Sequence, residues 1–398
     1  MPDVDERYTL ISADCHAGGS HAMYREYLDP SFRDEFDAWR GAYRNPFKDL
    51  KDNDLRVRNW DDEVRWKQQE EDGTVAEVVF PNTVPPFFPS FVLFARPPTA
   101  EDYQRRLAGI RAHNRWAVDF QAAYPERRAV IGQVFLNDTD DAVRDAVWIK
   151  EHGLRGGVLL PNIAPDVNWV KPLYHPDHDP FWKVCEDLEI PVNVHSGTGS
   201  PDYGDFPFSG LLQALEIPFY SQRPLVQLMV SGVFERFPRL RFVVTELGAS
   251  WVPDVLGMLD LFMGAVRQGQ LGEFRYEEGG APTKTATEYF AQSCWIGASM
   301  PSAKDVAVRD TIGVDKFMWG SDYPHDEGSY PDTTRAVRRA FRDVDHRDTA
   351  AMLGGNAARL YGFDLQALAP LARQFGPTVA EVHAPRDREN REKGTVPA

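Results

Sequence analysis

The segment Phe317-Met-Trp-Gly-Ser-Asp-Tyr-Pro-His325 is an apolar run that ends in an acid, a proline and a histidine. A buried strand that delivers Asp322 and His325 at its C-terminal end can hold a metal ion or serve as a general base. Three other apolar runs end in the same way. Residues 8–16 present Asp14 and His16, which are two apart and so project from one side of a strand. Residues 190–197 present His195, and residues 240–246 end in Glu246. One such residue would be ordinary, since a strand-end histidine is commonly a hydrogen-bonded structural group. An acid there commonly caps the next helix or complements its dipole. Three imidazoles and three carboxylates converging on one volume require more, because clustered carboxylates repel unless a cation neutralises them. The expected site is a metal centre built from Asp14, His16, His195, Glu246, Asp322 and His325, with Asp322 and His325 as its catalytic pair.

Convergence needs a scaffold. Eight strands are expected at residues 8–16, 75–82, 129–136, 156–161, 190–197, 240–246, 293–299 and 316–321. Helices are expected at 101–124, 138–152, 179–188, 223–237, 252–267, 333–343 and 347–353. Each strand is followed by a helix or an insertion and no hairpin signal intervenes, which predicts an α/β chain folded as a (β/α)8 TIM barrel. In that fold the ends of strands 1 and 8 are neighbours and face those of strands 5 and 6 across the mouth. A doubly wound sheet would need a Gly-rich phosphate turn, and Gly18-Gly19 does not match GxGxxG. One barrel domain is expected over residues 1–375. Long insertions follow strands 1, 2 and 5, with lids near 20–72 and 83–100, and residues 376–398, charged from 386 on, are expected to be a disordered tail.

Composition narrows the partners. A net charge of -16 over 398 residues argues against nucleic acid or an anionic membrane. Cys15, Cys185 and Cys294 are far apart and odd in number, so no disulfide framework is implied and a reducing cytoplasm fits. No CxxC, HExxH or GxSxG motif is present, which removes the usual zinc-site and serine-hydrolase readings. The aromatic insertions around Trp60, Trp66, Phe87, Phe88, Phe91 and Phe94 have two readings. They form an apolar lid over a bulky or aromatic acid or ester, or they brace a loop or a homodimer interface. On the first reading Asn82, Phe87 and Phe88 touch a small-molecule substrate.

The segments Leu10-Ile-Ser-Ala-Asp-Cys-His16, Val192-Asn-Val-His-Ser-Gly197, Thr245-Glu-Leu-Gly-Ala-Ser-Trp251 and Trp319-Gly-Ser-Asp-Tyr-Pro-His325 resemble the amidohydrolase-related (amidohydrolase 2) family. The resemblance is to the branch with aminocarboxymuconate-semialdehyde decarboxylase and the resorcylate-type decarboxylases, and Gly354-Gly-Asn-Ala-Ala-Arg-Leu-Tyr-Gly362 resembles its ending. It implies a TIM barrel with a divalent metal held by Asp14, His16, His195 and Asp322, with Asp322 also the proton-transfer acid. Two positions depart from the family pattern: Glu246 stands where the decarboxylases often have histidine, and Asp14 replaces their Glu or His. The fourth strand also lacks the lysine that bridges two metals in dinuclear hydrolases, a role Glu246 could take. With one metal (Zn, Mn or Fe) the implied chemistry is hydrolysis or non-oxidative decarboxylation, by a metal-bound water or through the substrate carboxylate. With two, an oxygen-rich set suits iron or manganese. The alternative is then a non-haem diiron monooxygenase acting on an apolar substrate and served by a separate reductase. A third reading is a silent barrel acting as a structural subunit.

Overall fold

A computed structural model describes residues 6–44, 54–277 and 280–385. Eight strands run in the order β1 (Leu10–Ala17), β2 (Thr74–Pro81), β3 (Arg128–Gln133), β4 (Gly157–Leu159), β5 (Pro191–His195), β6 (Arg241–Thr245), β7 (Cys294–Ser299) and β8 (Phe317–Gly320). Each pairs in parallel with its sequence neighbour. The ring closes between β8 and β1 through a parallel bridge from Cys15 to Tyr323, with Asp322 N donating to Asp14 O at 2.8 Å. This is the expected (β/α)8 barrel. Both faces of the strands are covered, which is why they read as nearly unbroken apolar runs.

Ile11, Ala76, Val78, Phe80, Ala129, Ile131, Leu159, Val243 and Met318 fill the interior. Its lower end is sealed by the helix Asn356–Tyr361, whose Tyr361 hydroxyl donates to Asn193 Oδ1 at 2.9 Å. β1 does not keep a simple alternation. Its register against β2 is irregular between Ser12 and Cys15, so Ile11 and Ala13 join the interior while Asp14 and His16 face the mouth. Bulges commonly re-aim a side chain beside an active site in this way.

The insertion after β1 carries the helices His21–Tyr27, Arg33–Ala42 and Asp62–Glu71, while its stretch 45–53 lies outside the described residues. The last of these helices is locked to the barrel by charge. Glu77, on the outer side of β2, accepts from Arg65, from Gln69 Nε2 at 3.0 Å and from Arg128 Nε at 3.1 Å, all of them buried. Arg65 also donates to His16 O at 2.8 Å, so the network reaches the C-terminal end of β1.

Three expectations change. The helix expected over 223–237 is two, Arg223–Val230 and Val233–Arg236, broken at Gly232 with its positive φ. The insertion after β5 contains a helix, Ser209–Ser221. Residues 376–385 are not a loose tail. Thr378 caps the helix Val379–Val382, Val379 N donates to Glu6 O at 2.8 Å, and Val382 is fully buried. From 386 on the expected tail lies outside the described residues.

Candidate metal centre

The strand ends bring the six residues together. Asp14 Oδ1 lies 3.3 Å from His16 Nε2 and 3.3 Å from His195 Nε2, and His16 Nε2 lies 3.1 Å from Asp322 Oδ1. Across the mouth, His195 Nδ1 is 3.2 Å from Glu246 Oε2. Asp14, His16 and His195 offer ligand atoms within 4.8 Å of one another, as do Asp14, Glu246 and Asp322. Gly320 makes the β8–β1 approach this tight, since a Cβ there would come 2.7 Å from Asp14 Cβ.

The donors fit a cation better than they fit each other. Both ring nitrogens of His16 and Asp322 Oδ2 are buried without an aligned hydrogen bond, although His16 Nε2 lies beside the Asp14 and Asp322 carboxylates. Such atoms are costly to bury unless something else satisfies them. His195 Nδ1 sits 3.1 Å from Ser196 O, which gives that nitrogen the proton and turns the Nε2 lone pair inward. Ser299, at the end of β7, donates to Asp14 Oδ2 and leaves Oδ1 facing the imidazoles. Sequence reasoning missed Ser299, although its place at a strand end marks it as surely as that of His195.

His325 is placed differently. Asn82 Nδ2 donates to Asn59 Oδ1 at 2.7 Å, so Asn82 Oδ1 accepts from His325 Nε2 at 2.9 Å. His325 Nδ1 is 2.8 Å from Asp322 Oδ1, and a proton must lie between those two atoms. His325 also offers a ligand atom within 4.8 Å of those of His16 and Asp322, and here both its nitrogens are hydrogen-bonded and its ring stacks on His16 at 4.1 Å. Asn82 accordingly orients His325.

Electrostatics follow from burial and pairing. Burial alone would raise the carboxyl of Asp14, but the imidazoles of His195 and His16 outweigh it and hold the group well below the usual carboxylate range. Asp322 is lowered in the same way, its burial outweighed by the neighbouring imidazoles of His16 and His325. Burial opposes the charge on His16, yet Asp14 and Asp322 push it up to about 10. His195 is also raised against its burial, by Glu246 and Asp14. Glu246 goes up through burial and the neighbouring carboxylates Asp14 and Asp322, against the pull of His195. In the metal-free cluster His16 is therefore held as an imidazolium between the Asp14 and Asp322 carboxylates, and a cation would take the place of its proton.

Glu246 and Asp322 share a backbone feature, with φ of 63° and 59°. Left-handed backbone in a residue other than glycine costs of order 1 kcal/mol or more and gathers at functional sites. Here Glu246 N donates to Gly297 O at 2.9 Å and Asp322 N to Asp14 O, which hold both conformations. Glu246→Gly is expected to melt at a higher temperature than Glu246→Ala, by the equivalent of about 1 kcal/mol, because only glycine enters this region without strain. Equal midpoints in parallel thermal melts would refute the strain.

The expected aromatic lid is placed otherwise. Phe88 is fully buried, stacked 5.9 Å from Phe135 with the Arg106 guanidinium 4.3 Å over its face. Phe87 packs with Phe36, Leu28 and Ala108. Both are bracing residues, drawn into apolar clusters because several rings and leucines meet there. Phe94 packs on the loop that leaves β5, since a Cβ on Gly197, two residues after His195, would come 2.9 Å from Phe94 Cε1. Trp66 lies under the Arg127 guanidinium, 3.6 Å away.

An eight-stranded parallel barrel with imidazoles and carboxylates converging at the C-terminal strand ends defines a class of barrel enzymes, and comparison with known proteins narrows it. The chain belongs to the amidohydrolase 2 family, whose model, described as Amidohydrolase, matches residues 54–363. Among solved structures, it is similar to 5-carboxyvanillate decarboxylase from Sphingomonas paucimobilis, at 19% identity over 90% of this chain and 100% of that one, with a TM-score of 0.66. It is also similar to 5-carboxyvanillate decarboxylase from Novosphingobium aromaticivorans, solved with manganese and 4-hydroxy-3-methoxy-5-nitrobenzoic acid (19%, 89% and 96%, TM-score 0.66). A third is 2,6-dihydroxybenzoate decarboxylase from Rhizobium (16%, 89% and 99%, TM-score 0.62). At these identities the neighbours establish the fold. Among the described residues no helix is long and apolar enough to cross a membrane.

Proposed function

We propose that the protein is a metal-dependent, non-oxidative decarboxylase of an aromatic carboxylic acid. The observation that carries this reading is the buried cluster of Asp14, His16, His195 and Asp322, with both His16 nitrogens and Asp322 Oδ2 lacking an aligned hydrogen bond. Its support is the set of structural neighbours, which include decarboxylases of carboxyvanillate and dihydroxybenzoate. A divalent cation in the cluster supplies Lewis-acid polarisation of a substrate carboxylate. The chain's own groups do the rest. Asp322, ionised at rest, draws the proton it shares with His325 Nδ1 and passes it to the ring carbon as that carbon's bond to the carboxylate breaks, so the products are the arene and carbon dioxide. His325, its Nδ1 against Asp322 and its Nε2 held by Asn82, then regains a proton from water. Phe94 and the buried Phe80, whose ring is 4.6 Å from His195, supply an apolar border beside the reacting groups.

The third carboxylate supports a second reading. Asp14, Glu246 and Asp322 can share a cation, and a dinuclear iron centre would make the protein an oxygenase with an external reductase. The test is elemental analysis of the purified chain, followed by assay of hydroxylated benzoates for carbon dioxide release before and after chelation. About one metal per chain, with release lost on chelation and restored by manganese, is the expected result. Two irons per chain with oxygen uptake would transfer the assignment to the oxygenase. Ester or amide cleavage without carbon dioxide release would transfer it to a hydrolase, and absence of bound metal would overturn all three.

A further inference from the structure

The end of the barrel opposite the metal centre carries a cavity of about 410 Å³. It forms where the turn after the helix Thr139–Glu151, the first residues of β4, β5 and β6, and the sealing helix Asn356–Tyr361 come together. That volume lies within the range of small-molecule sites, roughly 300–1,000 Å³.

Its charge is out of keeping with the chain. Acids outnumber Lys and Arg by 60 to 44 in the sequence, yet the charged residues lining this cavity are Lys150, Arg155, Arg241 and Arg359 against Glu189 alone. Glu189 Oε2 pairs with Arg241 Nη2 at 3.1 Å. Lys150, Arg155 and Arg359 have no ion-pair partner among the described residues. Arg155 is half-buried in the turn before β4. Its guanidinium donates to Gly362 O at 2.7 Å, to Pro125 O at 2.5 Å and to Arg128 O at 2.6 Å, and lies 4.8 Å over the Phe363 ring. These contacts fix its plane and leave its charge without a counterion, and burial pulls its pKa below the usual guanidinium value. Taking a cation out of water without a partner is costly, and an anion in the cavity would offset that cost. Lys150 and Arg359 stand in the last turns of their helices, where the helix dipole favours cations. The dipole does not account for Arg155 and Arg241, which belong to no helix.

We infer that this cavity binds a small organic polyanion, a phosphorylated or polycarboxylate molecule carrying two or three negative charges. The guanidinium groups present forks that match phosphate and carboxylate oxygens. Leu154, Ile190 and Leu360 line the same space and would take the carbon body of the ligand. Cations gathered around a cavity, rather than spread along a face, suit a molecule of this size and not a nucleic-acid strand. A bound anion would tie the starts of three strands to the helix that seals the barrel. The inference is independent of the reaction catalysed at the mouth, and its test does not use activity.

Titration calorimetry of the manganese-loaded full chain at low ionic strength should show one molecule of phosphoenolpyruvate or of tricarballylate bound per chain, with affinity falling as salt is added. Tighter binding of phosphoenolpyruvate would assign the site to organic phosphates, and tighter binding of tricarballylate to polycarboxylates; either supports the inference. Lys150→Gln with Arg359→Gln, at exposed positions whose change should leave the fold intact, should raise the dissociation constant at least about tenfold. His16→Ala, altered at the metal centre, should bind the anion as the wild type does. Failure of both probes to bind, or an affinity unchanged in Lys150→Gln with Arg359→Gln, would overturn the inference. So would loss of binding in His16→Ala, which would place the anion at the metal centre instead.

Discussion

Asp322→Asn is expected to lower turnover by about 10²- to 10⁴-fold, the span that a positioned proton donor contributes. The substitution keeps the side chain's volume and an Oδ1 that can accept from His325 Nδ1, so the short path from Asn82 through His325 survives. What it removes is the ability to carry a proton to the substrate. Metal content separates this role from simple ligation. Asp14, His16 and His195 still present ligand atoms in Asp322→Asn, so the protein reconstituted in excess manganese should hold metal and remain slow. His325→Ala provides the contrast. Both His325 nitrogens are hydrogen-bonded, so its loss should spare metal content, whereas His16→Ala, which deletes two buried nitrogens without aligned hydrogen bonds, should not. Turnover within tenfold of wild type in metal-loaded Asp322→Asn would remove Asp322 from the proton transfer.

Much of this centre is legible in the chain because parallel strands buried on both faces leave a simple signature. An apolar run such as residues 240–245 ends abruptly at Glu246, and barrel geometry sends every such end to the same mouth. The features that are not legible depend on the return of distant segments. Phe87 and Phe88 sit in an aromatic loop that reads equally well as lid or brace, and only the arrival of Phe36, Ala108 and Phe135 makes them core. Glu77 lies inside an apolar strand, and nothing local announces that Arg65 and Arg128 will meet it there. The helix Ser209–Ser221 is obscured by Gly210 and Pro218, which break its pattern, and by the lack of a polar face. The role of His325 is hidden for a further reason. Its residue type fits a ligand, and the hydrogen bonds from Asn59 through Asn82, far away in sequence, decide what its Nε2 faces.

Metal affinity is expected to climb with pH, by about tenfold per unit for each proton displaced, through the range below the raised pKa of His16. In the metal-free protein Asp14 and Asp322 are held ionised, so they release no protons on binding at neutral pH. His16, pushed up to about 10 by Asp14 and Asp322 against its burial, must give up its proton before Nε2 can ligate. His195 is raised as well and adds a second released proton until its own pKa is passed. Stability of the metal-free protein has the opposite sign. A histidine whose folded pKa lies above its ordinary value of about 6.5 stabilises the fold fully below 6.5, and that contribution is lost as pH rises through the folded value. Between pH 6.5 and 8.5 the metal-free protein should therefore lose thermal stability while the manganese-loaded protein gains it, and their melting curves should diverge. Titration calorimetry in two buffers of different ionisation enthalpy counts the released protons directly. A dissociation constant that does not change with pH, with no protons released, would mean that the cluster is not held by the imidazolium–carboxylate pairs described above, and His16 would then have to be removed from the ligand set.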